Sequence, residues 1–408
     1  MSITYKTVAG DTFDLISRKV YGTEAESSKI AKANPGTVEP LPVDVDLFIP
    51  PQRATTTSGA PSGNRDEVAV LIDGVRFRFW SNIRITRSID SLSTIEITAP
   101  FDHTAPGFRK TFRPLSFKSL VVTVGGVPLF TGTMIGVVPT LEQGSKTITV
   151  SGYSRAGVLN DCTPPVSSHP LEFDGQGLQE IAGSLAAPFG VPVRFVDSAG
   201  AIFDRVAANA TQKILAFLVK LANQRGLIIS DNSDGDLIFW KSISTGKPVA
   251  VLEQGVAPLL SVTPMFNPQS YYSHITGLEP TVVGIQGESY TVKNPRIAGV
   301  LRPLSFQTPD TLEADVKQAT EAKAGRMFGA MVSYSIRVAT WRDPAGDLWE
   351  PNTLISLTAP DAMIYNPYKF LIRSVTLNRE RSSKSATLTL VLPGSFSGEI
   401  PESMPWDD

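Results

Sequence analysis

From Glu67 onward the chain is written largely in a two-residue rhythm. In "IRITRSIDSLSTIEITAP" (residues 83–100), Ile95, Ile97 and their neighbours alternate with polar or charged side chains. Successive side chains of a strand point to opposite faces, so this pattern suits half-buried strands and no amphipathic helix. "VAVLIDGVRFRFW" (68–80) breaks at Asp73-Gly74, and "LVVTVGGVPLFTGTMIGVV" (120–138) breaks at Gly125-Gly126. Such pairs accept the left-handed backbone of a tight hairpin. With "KTITVSGYS" (146–154) they predict strands about ten residues apart, and so a first β-barrel over residues 67–160.

Between 161 and 255 the period changes. Leu178, Ile181, Ala182 and Leu185 lie at helical spacing, and Thr211 is placed to cap a second helix carrying Ile214, Leu215, Leu218, Leu221 and Ala222. Gly226 ends that helix, and "LIISDNSDGDLIFWK" (227–241) reads as a hairpin. This is an α+β domain. Strands return after Pro258, with one helix from Leu312 to Met331 that Asp310 and Glu313 would cap. "KFLIRSVTLNRERSSKSATLTLVLPG" (369–394) repeats in kind "TGTMIGVVPTLEQGSKTITVSG" (131–152): a strand, a polar turn with lysine, then Thr alternating with aliphatics. The fold class is therefore multidomain and mainly β with α+β. Two similar β-barrels, 67–160 and 256–395, flank or are joined by the α+β domain, and 396–408 form a tail.

The first 52 residues have a separate logic. Ile3 to Val8 alternates as a strand, Gly10-Asp11 turns the chain, and Asp11 can cap a helix bearing Phe13, Ile16 and Val20. Thr23 and Glu26 form a capping box for a second helix ending at Asn34, Pro35-Gly36 stops it, and Leu47 to Pro50 closes as a strand. Residues 53–66 carry no large apolar side chain and read as a flexible linker. The βααβ order resembles the LysM family. Its motifs are matched by Tyr5 to Val8, Gly10-Asp11-Thr12, Ile16, Tyr21-Gly22, Ile30 to Asn34 and Leu47 to Pro50. The resemblance implies ligand or docking loops at Gly10, Asp11, Thr12 and Phe13 and at Asn34, Pro35 and Gly36. Val43-Asp44-Val45-Asp46 stands where the family usually has Gly. These acids beside the loops shift the expectation from an N-acetyl sugar to a neighbouring protein.

Charge and chemistry narrow the function. With 37 basic and 39 acidic residues, no whole-chain field draws the protein onto nucleic acid or anionic lipid, and no basic face is visible in the sequence. No apolar run approaches the ~20 residues of a membrane helix, and no secretory leader is recognised at the N-terminus. Cys162 is the sole cysteine, which leaves stability to packing or oligomerisation. His103, His169 and His274 are isolated in loop-like sequence and read as solvated or capping side chains. Gly152-Tyr153-Ser154-Arg155-Ala156-Gly157 nearly spells a nucleophile elbow, but Ala156 replaces its second glycine and Ser154 is expected to enter an irregular stretch. "DNSDGD" (231–236) lacks the glycine offset and glutamate of a calcium loop. No catalytic, cofactor or metal site is assigned, and the chain is not expected to be an enzyme.

A second resemblance covers about residues 67–395. "RDPAGDLWEPNTLISLTAP" (342–360), with Gly346, Leu348, Trp349, Pro351 and Asn352, resembles a signature turn of contractile-tail phage baseplate hub proteins, the Mu-type tail and phage late-control D group. "TGTMIGVV", "VSGYSRAGVLNDCT" and "LQEIAGSLAAPFGVPV" look like the same family. The resemblance implies a structural homotrimer in the virion, assembled in the host cytoplasm. Its ring would join the sixfold tail tube, or a tube initiator, above to the threefold tail spike below, with baseplate wedge proteins as further partners through LysM. Trp341 and Trp349 are expected in a barrel core or corner ahead of a subunit contact, and Trp80 is open between the two. The competing functions are a LysM-mediated peptidoglycan-binding adaptor and, further behind, a peptidoglycan hydrolase.

Overall fold

The computed structural model describes residues 3–8, 10–21, 27–34, 37, 41–49, 65–279, 289–297, 299–307, 316–380, 383–396, 401 and 403–407. The chain divides into two units, Met1–Arg65 and Asp66–Asp408. The first contains β1 (Ile3–Lys6), α1 (Phe13–Tyr21), α2 (Ser27–Ala33) and β2 (Asp46–Ile49), with β1 antiparallel to β2. Phe13, Ile16, Ile30, Leu41 and Leu47 form its core. Thr12, not Asp11, caps α1: the Leu15 N–H donates to Thr12 Oγ1 at 3.2 Å. Asp11 lies one residue too early and instead pins the turn, accepting from the Val8 N–H at 3.0 Å and pairing with Lys19 at 2.6 Å. Asp44 takes φ 71° ahead of β2, a conformation that Asp tolerates better than most side chains where Gly is absent. The predicted capping box at Thr23 and Glu26, the stop at Pro35-Gly36 and linker residues 53–64 lie outside the described residues.

The second unit begins with β3 (Val68–Ile72), β4 (Val75–Phe77), β5 (Asn82–Ser88), β6 (Thr94–Pro100), α3 (Pro106–Thr111), β7 (Ser119–Val124), β8 (Val127–Glu142) and β9 (Ser145–Ser154). A middle region follows: α4 (Val158–Asp161), α5 (Leu178–Ala186), β10 (Val193–Phe195), α6 (Ile214–Gln224), β11 (Ile228–Asp231) and β12 (Leu237–Trp240). The chain ends with β13 (Ala250–Glu253), β14 (Leu259–Phe266), β15 (His274–Leu278), β16 (Ser289–Lys293), β17 (Pro303–Gln307), α7 (Val316–Met331), β18 (Val332–Val338), β19 (Leu354–Ala359), β20 (Ile364–Glu380) and β21 (Lys384–Val391).

Thirteen strands share one sheet, in the order β14-β18-β21-β20-β5-β6-β9-β8-β7-β3-β4, with β19 on β20 and β13 on β19. The regions expected as two barrels are thus hydrogen-bonded to each other. The joint is β5 on β20, from Asn82 opposite Glu380 to Ser88 opposite Ser374. At 17 residues β20 is long enough to serve two neighbours on that side, with Ile364 to Leu371 facing β19 and Ser374 onward facing β5. The two look-alike segments are the hairpins β8–β9 and β20–β21. They flank β5–β6 on either side, and each long strand has a register shift, at Met134/Gly136 and at Ile372/Ser374. A residue added to one strand bends it and sharpens its twist. The predicted hairpin turns sit where expected, with φ 50° and 74° at Asp73 and Gly74 and 58° and 84° at Gly125 and Gly126. One apolar core underlies both halves of the sheet, with Phe130, Tyr334, Trp341, Trp349 and Phe370 among its largest buried side chains.

The middle region has its own core, in which α5 and α6 cover the sheet β10-β12-β11. Leu178, Ile181, Ala182 and Leu185 are buried as their spacing predicts; on α6 Phe217 joins the buried face and Leu215 is only half-buried. Thr211 does not cap α6, which starts at Ile214. Its N–H and hydroxyl both bond Asn209 Oδ1, at 2.9 and 2.8 Å, in an Asx turn just upstream. β13 pairs in parallel with β19, so the chain rejoins the large sheet at Ala250, before the boundary expected at 255. His274 is not in a loop: it lies in β15, within the sheet β16-β15-β17, and its Nδ1 is 2.9 Å from Ser273 Oγ. The expected cap residues of α7, Asp310 and Glu313, lie outside the described residues.

Candidate functional site

The two stretches that come nearest to a catalytic or calcium motif in the sequence, around Ser154 and at 231–236, are spent on structure, while His103 and His169 are exposed. Among the described residues no three of His, Cys, Asp and Glu gather where they could hold a metal ion. Ser154 does lead into helical backbone, a 3-10 turn at Arg155–Gly157 followed by α4, where the sequence suggested an irregular stretch. It is nevertheless 1% exposed, so its hydroxyl cannot meet a substrate. In the loop 231–236, Asn232 Oδ1 accepts from the N–H groups of Asp234 and Asp236, and Asp236 binds Arg194 at 2.6 Å. Those oxygens tie a turn.

The signature turn between β18 and β19 is more telling. Gly346, with φ 92°, lets the chain fold back so that the Asp343 N–H donates to Asp347 O at 2.8 Å and Arg342 Nη1 reaches Gly346 O at 2.9 Å. Arg342 and half-buried Leu348 form an isolated bridge. Trp349 is buried and donates its indole N–H to Thr340 O at 3.0 Å. Buried Trp341 donates to both Asn378 O and Ser385 O, at 3.1 and 3.0 Å. Asn378 and Ser385 face each other near the end of hairpin β20–β21, so one indole holds both strands. Pro351 is buried at the close of the turn.

Asn352, at φ 61°, performs the second task. Its Oδ1 accepts from the Ile243 N–H and its Nδ2 donates to Lys241 O, both at 3.0 Å, while its own N–H donates to Ile372 O at 2.9 Å. The amide therefore imitates a strand neighbour for the segment leaving the middle region. Sequence reasoning missed two partners of this turn. Arg87 pairs with Glu350 at 2.5 Å. Asp66 meets Arg342 at 3.2 Å and also Lys384, next to the hairpin end. The Lys384 hydrogen bond, with Arg342 behind it, holds the Asp66 carboxyl below the usual carboxylate range.

The β5–β6 connection makes the other joint. Buried Asp231 accepts from the Ser93 N–H at 2.9 Å and from Ser93 Oγ at 2.6 Å. Ser230 Oγ donates to Ser88 O at 2.5 Å, and the Trp240 indole donates to Ile89 O at 3.1 Å. Burial pushes the Asp231 carboxyl up, against the pull of its hydrogen bonds. In the first unit, Gly10 is exposed, whereas Asp11 and Phe13 are buried and Thr12 is spent on the α1 cap. Asn34 donates from Nδ2 to Ile30 O at 2.8 Å. Pro35 and Gly36, the rest of that predicted loop, lie outside the described residues.

Known proteins are similar to this chain in sequence and in fold. Residues 156–241 match the family described as the second domain of gp44-like baseplate hub proteins. The baseplate hub protein gp44 of Escherichia phage Mu is 24% identical over 332 residues, covering 76% of this chain and 83% of its own. The crystal structure of the prophage MuSo2 43 kDa tail protein from Shewanella oneidensis superposes with a TM-score of 0.71 at 23% identity, over 81% of this chain and 99% of that one. A tail protein from Neisseria meningitidis MC58 gives 0.68 at 19% identity, over 81% and 98%. By name, these similar proteins are tail or baseplate hub proteins.

Proposed function

We propose that this chain is the structural hub of a phage-type tail baseplate and acts in the virion by shape and pairing. The carrying observation is that the likeness to the phage Mu hub protein spans 83% of that protein, in a fold whose signature turn is spent on internal clamps. The finer reading is a contractile tail in which three copies form a ring. The two halves of the large sheet, each with its long bulged hairpin, would supply two barrels per copy, hence six positions facing the tail tube and three facing the spike. Symmetric closure of this kind is the usual route to a stable oligomer. Light scattering of the purified chain, alone and with its spike partner, is expected to give a trimer; a monomer under both conditions overturns the hub ring.

The first unit is proposed as a LysM-type module that docks a wedge or other baseplate protein. Its βααβ order supports the fold, and the burial of Asp11 and Phe13 removes two side chains from sugar contact. Titration of the full chain with N-acetylglucosamine oligomers tests this. Millimolar or tighter binding that is lost without residues 1–52 would favour the peptidoglycan adaptor instead.

A further inference from the structure

Among the described residues, β4 is the terminal strand of the large sheet and pairs with β3 alone. Arg76, buried Phe77, Arg78 and half-buried Trp80 line a cavity of about 270 Å³ with Val68. On the other side Phe77 and Phe79 meet α3. Phe108 lies 5.9 Å from Phe77 and 6.1 Å from Phe79, centroid to centroid, and Phe112 lies 5.2 Å from Phe77. Past α3, Leu115 and Phe117 take φ 58° and 46° and are 81% and 62% exposed. Bulky residues avoid this left-handed backbone. On and after β4, Val75 and Phe79 are 71% and 64% exposed.

This part of the chain is rich in cations, although the whole chain carries a net charge of −2: residues 67–80 and 102–118 hold Arg76, Arg78, Arg109, Lys110, Arg113 and Lys118 against Glu67, Asp73 and Asp102. Glu67 is already engaged with Arg76, and Asp73 with Lys118. Arg78, Arg109, Lys110 and Arg113 have no ion pair among the described residues. Lys118 Nζ donates to Lys110 O at 2.7 Å, which fastens the loop to α3.

We propose that the β4 edge is a docking site for a protein partner presenting an extended segment in which acidic and apolar residues alternate. An open strand edge offers a row of backbone groups that another backbone can pair, and period-two side chains then fall on opposite faces. Acidic residues would reach Arg76 and Arg78 over the cavity, and apolar residues would reach Val75 and Phe79. Nucleic acid or an anionic membrane would answer the cations but leave the strand edge unpaired, so protein is the better fit.

The full-length chain tests this with a labelled peptide of about ten residues alternating Glu and Val, which is long enough to form a strand. A scrambled peptide of the same composition, a single-stranded oligonucleotide and phosphatidylglycerol vesicles are run beside it. The alternating peptide is expected to bind best, with Arg78→Glu and Phe79→Asp each weakening it about tenfold and leaving the circular dichroism unchanged. Failure of that peptide to bind, or equal binding of the scrambled one, overturns the proposal. So does tighter, Arg78-dependent binding of the oligonucleotide or vesicles. A fall in the oligomeric state of Arg78→Glu without peptide would identify a second copy as the occupant and overturn it as well.

Discussion

The hairpins β8–β9 and β20–β21 share a local pattern, a register shift and a place beside β5–β6, yet their ends differ. Near its turn β20–β21 is covered: β5 pairs out to Glu380, Trp341 donates to Asn378 and Ser385, and Asp66 holds Lys384. β8–β9 runs on past its neighbour. The partner of β6 ends at Thr147, and beyond it Leu141 faces Lys146 with 71% of Leu141 exposed. Similar segments therefore acquire different stability from what lies over them, as strand propensity depends on packing more than on sequence.

Removing the clamp should have the largest effect. Trp341→Ala empties a fully buried site and strips two carbonyls of their donor, with an expected loss of about 3–5 kcal/mol in denaturant unfolding. A loss below about 1 kcal/mol would show that the indole does not hold the hairpin. Gly132→Ala attacks the other hairpin, because an added Cβ would stand 2.0 Å from Tyr153 O and 2.8 Å from Ser154 Cα. Both contacts are backbone, so a cost of about 1–3 kcal/mol or more is expected, again read from the unfolding midpoint.

The next test uses pH, and here half-buried Asp66 and buried Asp231 have opposite signs. The Asp66 carboxyl is lowered in the fold, so its stabilisation is present above the unfolded value of about 3.9 and is lost as pH falls through the lower folded value. Asp231 is raised, so its charged form disfavours the fold, and stability declines as pH climbs from about 3.9 through its folded value. Unfolding curves between pH 3 and 6 should lose the acid-side fall in Asp66→Asn and the opposing decline in Asp231→Asn. Identical profiles for both variants would contradict the assignment. Smallest of all, Leu141→Ser on the uncovered ribbon should stay within about 0.5 kcal/mol of the parent by thermal denaturation.

Much of this was legible where the controlling contacts are local. Asp73-Gly74 and Gly125-Gly126 announce their turns because φ > 0 demands few residue types, and α5 shows its face because one turn of helix repeats it. Caps were misplaced by one or two residues at Asp11 and Thr211, since several polar side chains near a helix start compete for the same N–H groups. His274 was misread because Ser273 beside it suggests a loop, while its pairing with Lys293 and Pro303 is set by strands further along the chain. The sheet joint was hidden for the same reason. The cationic β4 surface was hidden differently: "RFRFW" and "FRKTFRPLSFK" are visible runs, but a near-neutral total averages them away. Of the signature, Trp349 as core could be anticipated. The role of Asn352 could not, because Lys241 and Ile243 are more than a hundred positions earlier.

The β5–β20 joint also sets an order of events. Thr86 and Thr376 touch hydroxyl to hydroxyl at 3.1 Å although 290 positions separate them. During synthesis the outer side of β5 has no neighbour until nearly the whole polypeptide has emerged, whereas the middle region can close on its own core. Contacts this distant slow folding and leave strand edges open to the wrong partner meanwhile. The last eighth of the chain thus decides when the first strands are safe, and a truncated product would carry β5 as a ready site for aggregation.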